Sequence, residues 1–227
     1  MTSKIKLDII SDVVCPWCII GYNRVSKAIS ELELQDRVEI EWHPFQLNPD
    51  MPVEGEDAHA HMSRKYGMNQ EDIRGTFAQM TALGAEVGFT FDFFDSFKMV
   101  NTSDLHILLD FAKESGKQTD LKMRLFKACF SERKNVSDRR ILAQELQSVG
   151  LNVNEGLARL ADQKIREKVR IHEAHWKGLG VSGVPTMIFN NSDTFTGAQP
   201  INIYKQVLSS CLENEPLKAL FPGELAG

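Results

Sequence analysis

Four cysteines are spread through the 227 residues, and two of them, Cys15 and Cys18, are separated only by Pro16 and Trp17. A thiol pair at that spacing supports two chemistries, reversible thiol-disulfide exchange or half of a tetrahedral zinc site. Zinc asks for four ligands, and the sequence holds no second Cys-x-x-Cys pair. His59 and His61 are the nearest further ligands, but at their spacing on a helix they point to different faces. Redox chemistry without a metal is therefore the expectation. A cysteine opening a helix meets unsatisfied backbone amides and the positive end of the helix dipole, both of which favour thiolate. Cys15 holds that place, so it is the expected attacking sulfur. Cys18, one turn on, is placed to attack a mixed disulfide formed at Cys15. Pro16 and Trp17 do not titrate, and bear instead on what can lie against Cys15.

These thiols need a strand to deliver them and a helix to carry them. From Lys4 to Ser11 the residues Ile5, Leu7 and Ile9 alternate with the period of a strand. Cys18, Tyr22, Val25, Ile29 and Leu32 then recur at spacings of three and four, so the cysteine pair opens an amphipathic helix, with Pro16 suited to its first turn. Val38 to Phe45 reads as a second strand. After the proline- and glycine-bearing stretch 48–55 the pattern changes, and from about 56 to 178 helical periods follow one another. Phe89 to Phe94 reads as a loop within them. Leu105, Leu108, Leu109 and Ala112 form one apolar stripe, and Leu121, Leu125 and Ala128 another. Ile165, Val169, His172 and Trp176 mark a last long helix that stops at Gly178 and Gly180. Strand signal returns at Pro185 to Phe189 and Thr194 to Thr196 around the turn Asn190-Asn191-Ser192-Asp193. A final helix begins near Pro200. The expected fold is α/β, with β-α-β and β-β-α halves at 1–50 and 179–227 around a helical insertion at 51–178.

Composition narrows the function. With a formal net charge of −5, the chain offers no general basic field for nucleic acid or an anionic membrane. No apolar run reaches bilayer-spanning length. The N-terminal stretch is charged and alternating, unlike a signal peptide, which places the protein in the cytoplasm by expectation. Cys129 and Cys211 stand alone in apolar stripes and are expected to pack in the core. His106 and His172 look like helix-face residues turned towards other helices, with His106 also a candidate proton carrier near the site. Asp12 reads as a turn or cap residue supporting the helix start, and Asn101 as an N-cap or adjacent turn residue. In Gly183-Val184-Pro185-Thr186 the proline cannot donate to a ladder, so it opens a strand or sits in a special turn.

Taken together, Asp12, the Cys15-Pro16-Trp17-Cys18 pair with Gly21, the segment Trp42 to Pro49, Asn101-Thr102, Gly183 to Thr186 and Gly197 to Pro200 resemble the DsbA-like oxidoreductases, and among them the FrnE-like branch. The matches run in order along nearly the whole chain. The resemblance implies a thioredoxin-like fold with a large inserted helical subdomain. It also implies a cis Val184-Pro185 bond beside the attacking sulfur, with Val184 pairing in strand fashion with a bound peptide or small thiol. Asn101 as a substrate contact rests on the resemblance alone. Cys129 stands where the branch would have an aromatic residue, Arg133 where it would have glycine, and Leu105 before His106 is a smaller departure. The expected activity is that of a protein thiol-disulfide oxidoreductase or disulfide isomerase. Its partners would be disulfide- or thiol-containing proteins or glutathione, the latter as a redox partner rather than a resident cofactor. The rival is a glutathione-dependent isomerase or transferase of a small organic molecule, because 2-hydroxychromene-2-carboxylate isomerases and kappa-class glutathione transferases are similar in fold. A binding or chaperone-like module with an incidental cysteine pair is the third reading.

Overall fold

The computed structural model describes residues 4–94 and 97–213. Strand β1 (Ile5–Ser11) feeds helix α1 (Pro16–Glu31), and β2 (Val38–Pro44) returns parallel to β1. Near the other end of the chain β5 (Thr186–Phe189) pairs antiparallel with β1, and β6 (Asp193–Thr196) antiparallel with β5, giving the order β2-β1-β5-β6. Asn190 and Asn191 turn that hairpin at φ 50° and 57°, the left-handed pair that matches the twist of the flanking strands. Helix α9 (Ile201–Glu213) packs beside α1.

The alternation read in β1 is incomplete in the structure, since Asp8, Ile10 and Ser11 are buried along with Leu7 and Ile9. A central strand covered on both faces loses its polar side. Leu7 and Ile9 belong to the large core that also takes residues of α1, α9 and the insertion, whereas Ile10 packs with Phe45, Trp176 and Val181. Gly21 lets α1 come down on this sheet. A Cβ there would lie 3.2 Å from Pro185 Cγ and 3.3 Å from Met187 Cε, and Arg24 secures the same approach by donating to Ala198 O at 3.1 Å.

Between β2 and β5 run α2 (Ala58–Tyr66), α3 (Gln70–Glu86), α4 (Ser103–Glu114), α5 (Gln118–Phe130), α6 (Arg139–Ser148), α7 (Val153–Arg159) and α8 (Gln163–Gly178). Two short strands, β3 (Glu56–Asp57) and β4 (Lys98–Met99), pair within this region. Their two residues each carry no periodicity, which is why a purely helical reading passes over them. Asn69 caps α3 by accepting from the Glu71 and Asp72 amides, and Asp162 caps α8. Phe89 to Phe94 is a loop, with Phe91 and Phe93 stacked at 5.4 Å. Arg133 has φ 55°, a left-handed backbone that accounts for glycine being the expected residue. Its side chain pairs with Asp92 at 2.7 and 3.0 Å. Among the described residues no helix is long and apolar enough to cross a membrane.

Helix α5 is locked to the sheet by a side chain. Gln118 Nε2 donates to Trp42 O at 2.9 Å, and Gln118 Oε1 accepts from Trp42 N at 2.9 Å. Replacing Gln118 with Leu keeps the bulk and strips both partners from a buried backbone unit. Urea unfolding of Gln118→Leu is expected to show a loss of about 2 kcal/mol or more, and an unchanged midpoint would show that this contact contributes nothing.

Candidate active site

Cys15 is the N-cap of α1, with Pro16 as the first helical residue. Its amide donates to Asp12 O at 3.3 Å and its carbonyl accepts from the Cys18 amide at 3.1 Å, so the turn bearing both thiols is closed at each end. Cys15 is 4% exposed and Cys18 0%. That small difference decides access, because Cys15 lines a cleft of about 450 Å³ and Cys18 does not. Cys15 Sγ donates to Val184 O at 3.6 Å, the carbonyl that precedes the cis Val184-Pro185 bond. Residues far apart in the chain thus face each other across the cysteine.

Pro16 and Trp17 form one wall of the cleft, continued by Gly183 and Val184. Helices α2 and α3 supply the facing wall through His61, Met62, Tyr66, Phe77 and Met80. Phe93, Phe97, Met99 and Phe130 close it from within. Phe93, Phe97 and Phe130 pack on one another while presenting a surface to the cleft.

Behind the thiols the environment is charged. Lys122 is 1% exposed, its ammonium lying 5.3 Å from the Trp42 ring centre and 5.0 Å from that of Phe126. Burial pulls its pKa down to about 8, partly offset by the attraction of Cys18, Asp12 and Cys15. Asp12 is fully buried and accepts from the Leu47 amide at 2.8 Å. Burial opposes its ionisation, but His106, the Leu47 amide and the Lys122 charge together hold it below the usual carboxylate range. The side chain ties β1 to the segment after β2 and does not cap α1, whose N-cap has no side-chain hydrogen bond.

The two sulfurs lie within hydrogen-bonding reach of each other and titrate as one unit. The Cys15 thiol is pushed well above its ordinary value, first by the hydrogen bond to the Cys18 sulfur and then by burial. Burial opposes ionisation of Cys18 too, yet its pKa is lowered by the bond from Cys15, the Lys122 charge, Ser11 and the Asp12 amide. Cys15 thus meets a local environment that opposes its ionisation, an influence that the expectation from the helix terminus did not include.

The other residues singled out in the sequence divide by place. Pro185 packs on Gly21 behind the cleft. His106 is buried, 3.1 Å from Phe45 O and 3.4 Å from Asp12 Oδ1, and so stands behind the thiols. Asn101 donates to Met51 O at 2.8 Å, accepts from the Ser103 amide at 3.0 Å, and lines a different cleft. His172 faces the sheet, 3.0 Å from His43, which in turn is 2.7 Å from Asp8. Cys129 and Cys211 are buried, and burial raises their thiols to about 12 and about 11. Lys122 escaped the sequence reading, although Lys122, Phe126 and Cys129 recur at the spacing of one helix face, which marks it as inward-facing.

Residues 6–209 match the family of DSBA-like thioredoxin domains. YwbO of Bacillus subtilis is 29% identical over 210 residues, spanning 92% of this chain and 97% of its own. A probable DsbA oxidoreductase from Streptomyces coelicolor superposes with a TM-score of 0.87 at 29% identity, covering 93% of this chain and 92% of that one. The cytosolic disulfide reductase DsbM from Pseudomonas aeruginosa, solved with GSH, shares the fold at a TM-score of 0.63 and 16% identity, over 92% and 99% of the two chains.

Lys122 makes a titration test possible. Its folded pKa of about 8 lies below the ordinary 10.5, so between those values the folded state binds fewer protons than the unfolded state and gains stability as pH rises. Lys122→Met removes that gain, and it also raises the folded pKa of the cysteine pair, which acts in the same direction. The stability of the original protein relative to the variant is expected to rise by roughly 3 kcal/mol between about pH 8 and 10.5, read by denaturant unfolding at each pH. A constant difference would mean that Lys122 is not desolvated.

Proposed function

The chain belongs to the family of DSBA-like thioredoxin domains, and on that premise we propose that it catalyses thiol-disulfide exchange, with Cys15 attacking and Cys18 resolving. The observation that carries this reading is the asymmetry of the pair: Cys15 borders the cleft, and Cys18 sits fully enclosed behind it. A substrate sulfur has access to one of them only.

Loss of the Cys15 proton to solvent puts a thiolate on the accessible sulfur. Cys15 then attacks one sulfur of a substrate disulfide, forming a mixed disulfide as the substrate S–S bond breaks and the other substrate sulfur leaves as a thiolate, which takes a proton from solvent. Cys18 next loses its proton to solvent and attacks Cys15 Sγ, and the second substrate sulfur leaves as a thiolate that takes up a proton from solvent. The substrate has gained two electrons, and the pair has closed to a disulfide. Val184 O stands beside Cys15, suited to hold a substrate chain in strand fashion. His106 acts through Asp12 as a positioning residue, and Asn101, committed to Met51 O, has no part in this scheme.

In a cytoplasm poised at about −220 to −320 mV, a pair of less negative potential rests as the dithiol. The reading is therefore a cytoplasmic reductase or isomerase of disulfides. A glutathione-dependent isomerisation needs no resolving thiol, and a second thiol within reach of Cys15 supports exchange instead.

Turnover of a glutathione-equilibrated disulfide substrate is expected to vanish in Cys15→Ser. In Cys18→Ser the same reaction is expected to stall at a mixed disulfide on Cys15, visible as an added substrate half in the intact mass. Full turnover in both variants would exclude the scheme.

A further inference from the structure

The face of the sheet turned away from α1 carries ionisable side chains that the exchange scheme does not use. Leu7 and Ile9 pack with α1 on one side of β1, while Ile10 packs with Phe45, Trp176 and Val181 on the other. Asp8, two residues before Ile10, shares that second side, and Glu41 stands opposite it in the β1–β2 register. His43 follows Glu41 by two residues and so projects from the same face of β2. Helix α8 packs against β2 and adds His172, whose Nε2 is 3.0 Å from His43 Nδ1.

These groups converge as metal ligands do. Glu41 Oε1 lies 3.7 Å from the same His43 Nδ1. Adjacent ligand atoms of a tetrahedral zinc ion, each at about 2.0–2.1 Å from the metal, are about 3.3 Å apart. Glu41, His43 and His172 border a cavity of about 20 Å³, room for a single ion. Asp8 is fully buried and holds the other ring nitrogen, His43 Nε2, at 2.7 Å. A carboxylate only accepts, so Nε2 is the donor and Nδ1 is the nitrogen left for a metal, whatever the charge of the ring. A buried carboxylate on the far nitrogen is the arrangement that orients an imidazole ligand and raises its basicity. Among the described residues the second oxygen, Asp8 Oδ2, has no hydrogen-bond partner, and a cation one imidazole away offsets the cost of that buried charge. Lys6 reaches Asp8 Oδ1 at 3.0 Å and Lys113 reaches Glu41 Oε1, but both lysine side chains are about half-exposed and can turn into solvent when a metal takes over the charge.

We propose that Glu41, His43 and His172 bind one divalent transition-metal ion of the zinc class, with Asp8 behind His43 and water completing the coordination. Two imidazoles and a carboxylate suit zinc, whereas a hard ion such as magnesium prefers a shell of oxygens. The site is separate from the exchange reading, because none of these four side chains lines the cleft at Cys15. A bound ion joins β2 to α8, the helix from which the chain runs on to the Val184 loop.

Metal-stripped full-length protein is to be titrated with Co²⁺, an absorbing substitute for zinc. The visible d–d bands report tetrahedral coordination, and a near-ultraviolet charge-transfer band reports thiolate ligands. One equivalent per chain is expected to give intense d–d absorption without a thiolate band, and to be displaced by Zn²⁺ but not by Mg²⁺. His172→Gln should weaken Co²⁺ binding about a hundredfold or more, and Asp8→Asn about ten- to a hundredfold. Lys113→Met removes the cation that competes for Glu41 and should tighten binding. His172 is half-buried and Lys113 exposed, so the test stands even where the buried Asp8→Asn variant fails to fold. Uptake of Co²⁺ only together with a thiolate band, an affinity unchanged in His172→Gln, displacement by Mg²⁺, or no uptake by the folded protein would each overturn the proposal.

Discussion

A carboxylate and an ammonium, both withdrawn from solvent, stand behind the cysteine pair, and much of the surrounding structure follows from keeping them satisfied. Isolated charges in a protein interior are disfavoured by several kcal/mol each unless they are paired or hydrogen-bonded. Asp12 takes the Leu47 amide and lies beside His106, which in turn holds Phe45 O. These contacts fix the segment that follows β2 and seat Leu47 at the cleft. Lys122 rests between the faces of Trp42 and Phe126, so α5 has to cross β2 at that point. The thiols inherit their electrostatics from this arrangement, in which the Lys122 charge favours ionisation of Cys18 and the Asp12 charge opposes that of Cys15.

The cleft is assembled from two sources. The strand-helix-strand unit and the Val184 loop bring Cys15, Pro16 and Trp17 to one side, and α2, α3 and the phenylalanine loop bring the other. The first is what the cysteine chemistry requires of its scaffold. The second differs in kind, presenting methionines and aromatic rings with the His61 imidazole among them. Gly21 serves both by letting α1 settle onto Pro185 and Met187, which holds Cys15 opposite the wall formed by α2 and α3.

The parts of this architecture legible in the sequence are those governed by local periodicity. β1, α1, β2, the closing hairpin and α9 announce themselves through spacings of two or of three and four, and the cysteine pair through its position at a helix start. The interactions that were not legible join distant segments. Asp12 looked like a local cap because its partner Leu47 lies 35 residues away. His172 looked helix-facing because its partner His43 lies 129 residues away on β2. Lys122 went unread because a lysine on a helix is ordinarily solvated, although its spacing from Phe126 and Cys129 is that of one face. Likewise, the Cys18 sulfur and the burial that raise the Cys15 thiol are features that no spacing rule carries.

Gln118 gives the sheet an asymmetry of another kind. Its side-chain amide meets Trp42 as the peptide of a neighbouring strand would, donor to acceptor and acceptor to donor. On the β2 margin the ladder thus ends in a covalently tethered imitation of one more residue of strand. Open margins are where foreign strands add and aggregation is templated. A strand from a second molecule finds this position on β2 already taken, and on the opposite margin it meets β6, only four residues long. The helix that brings the buried cation to the thiols thereby also occupies the outer edge of β2 at Trp42.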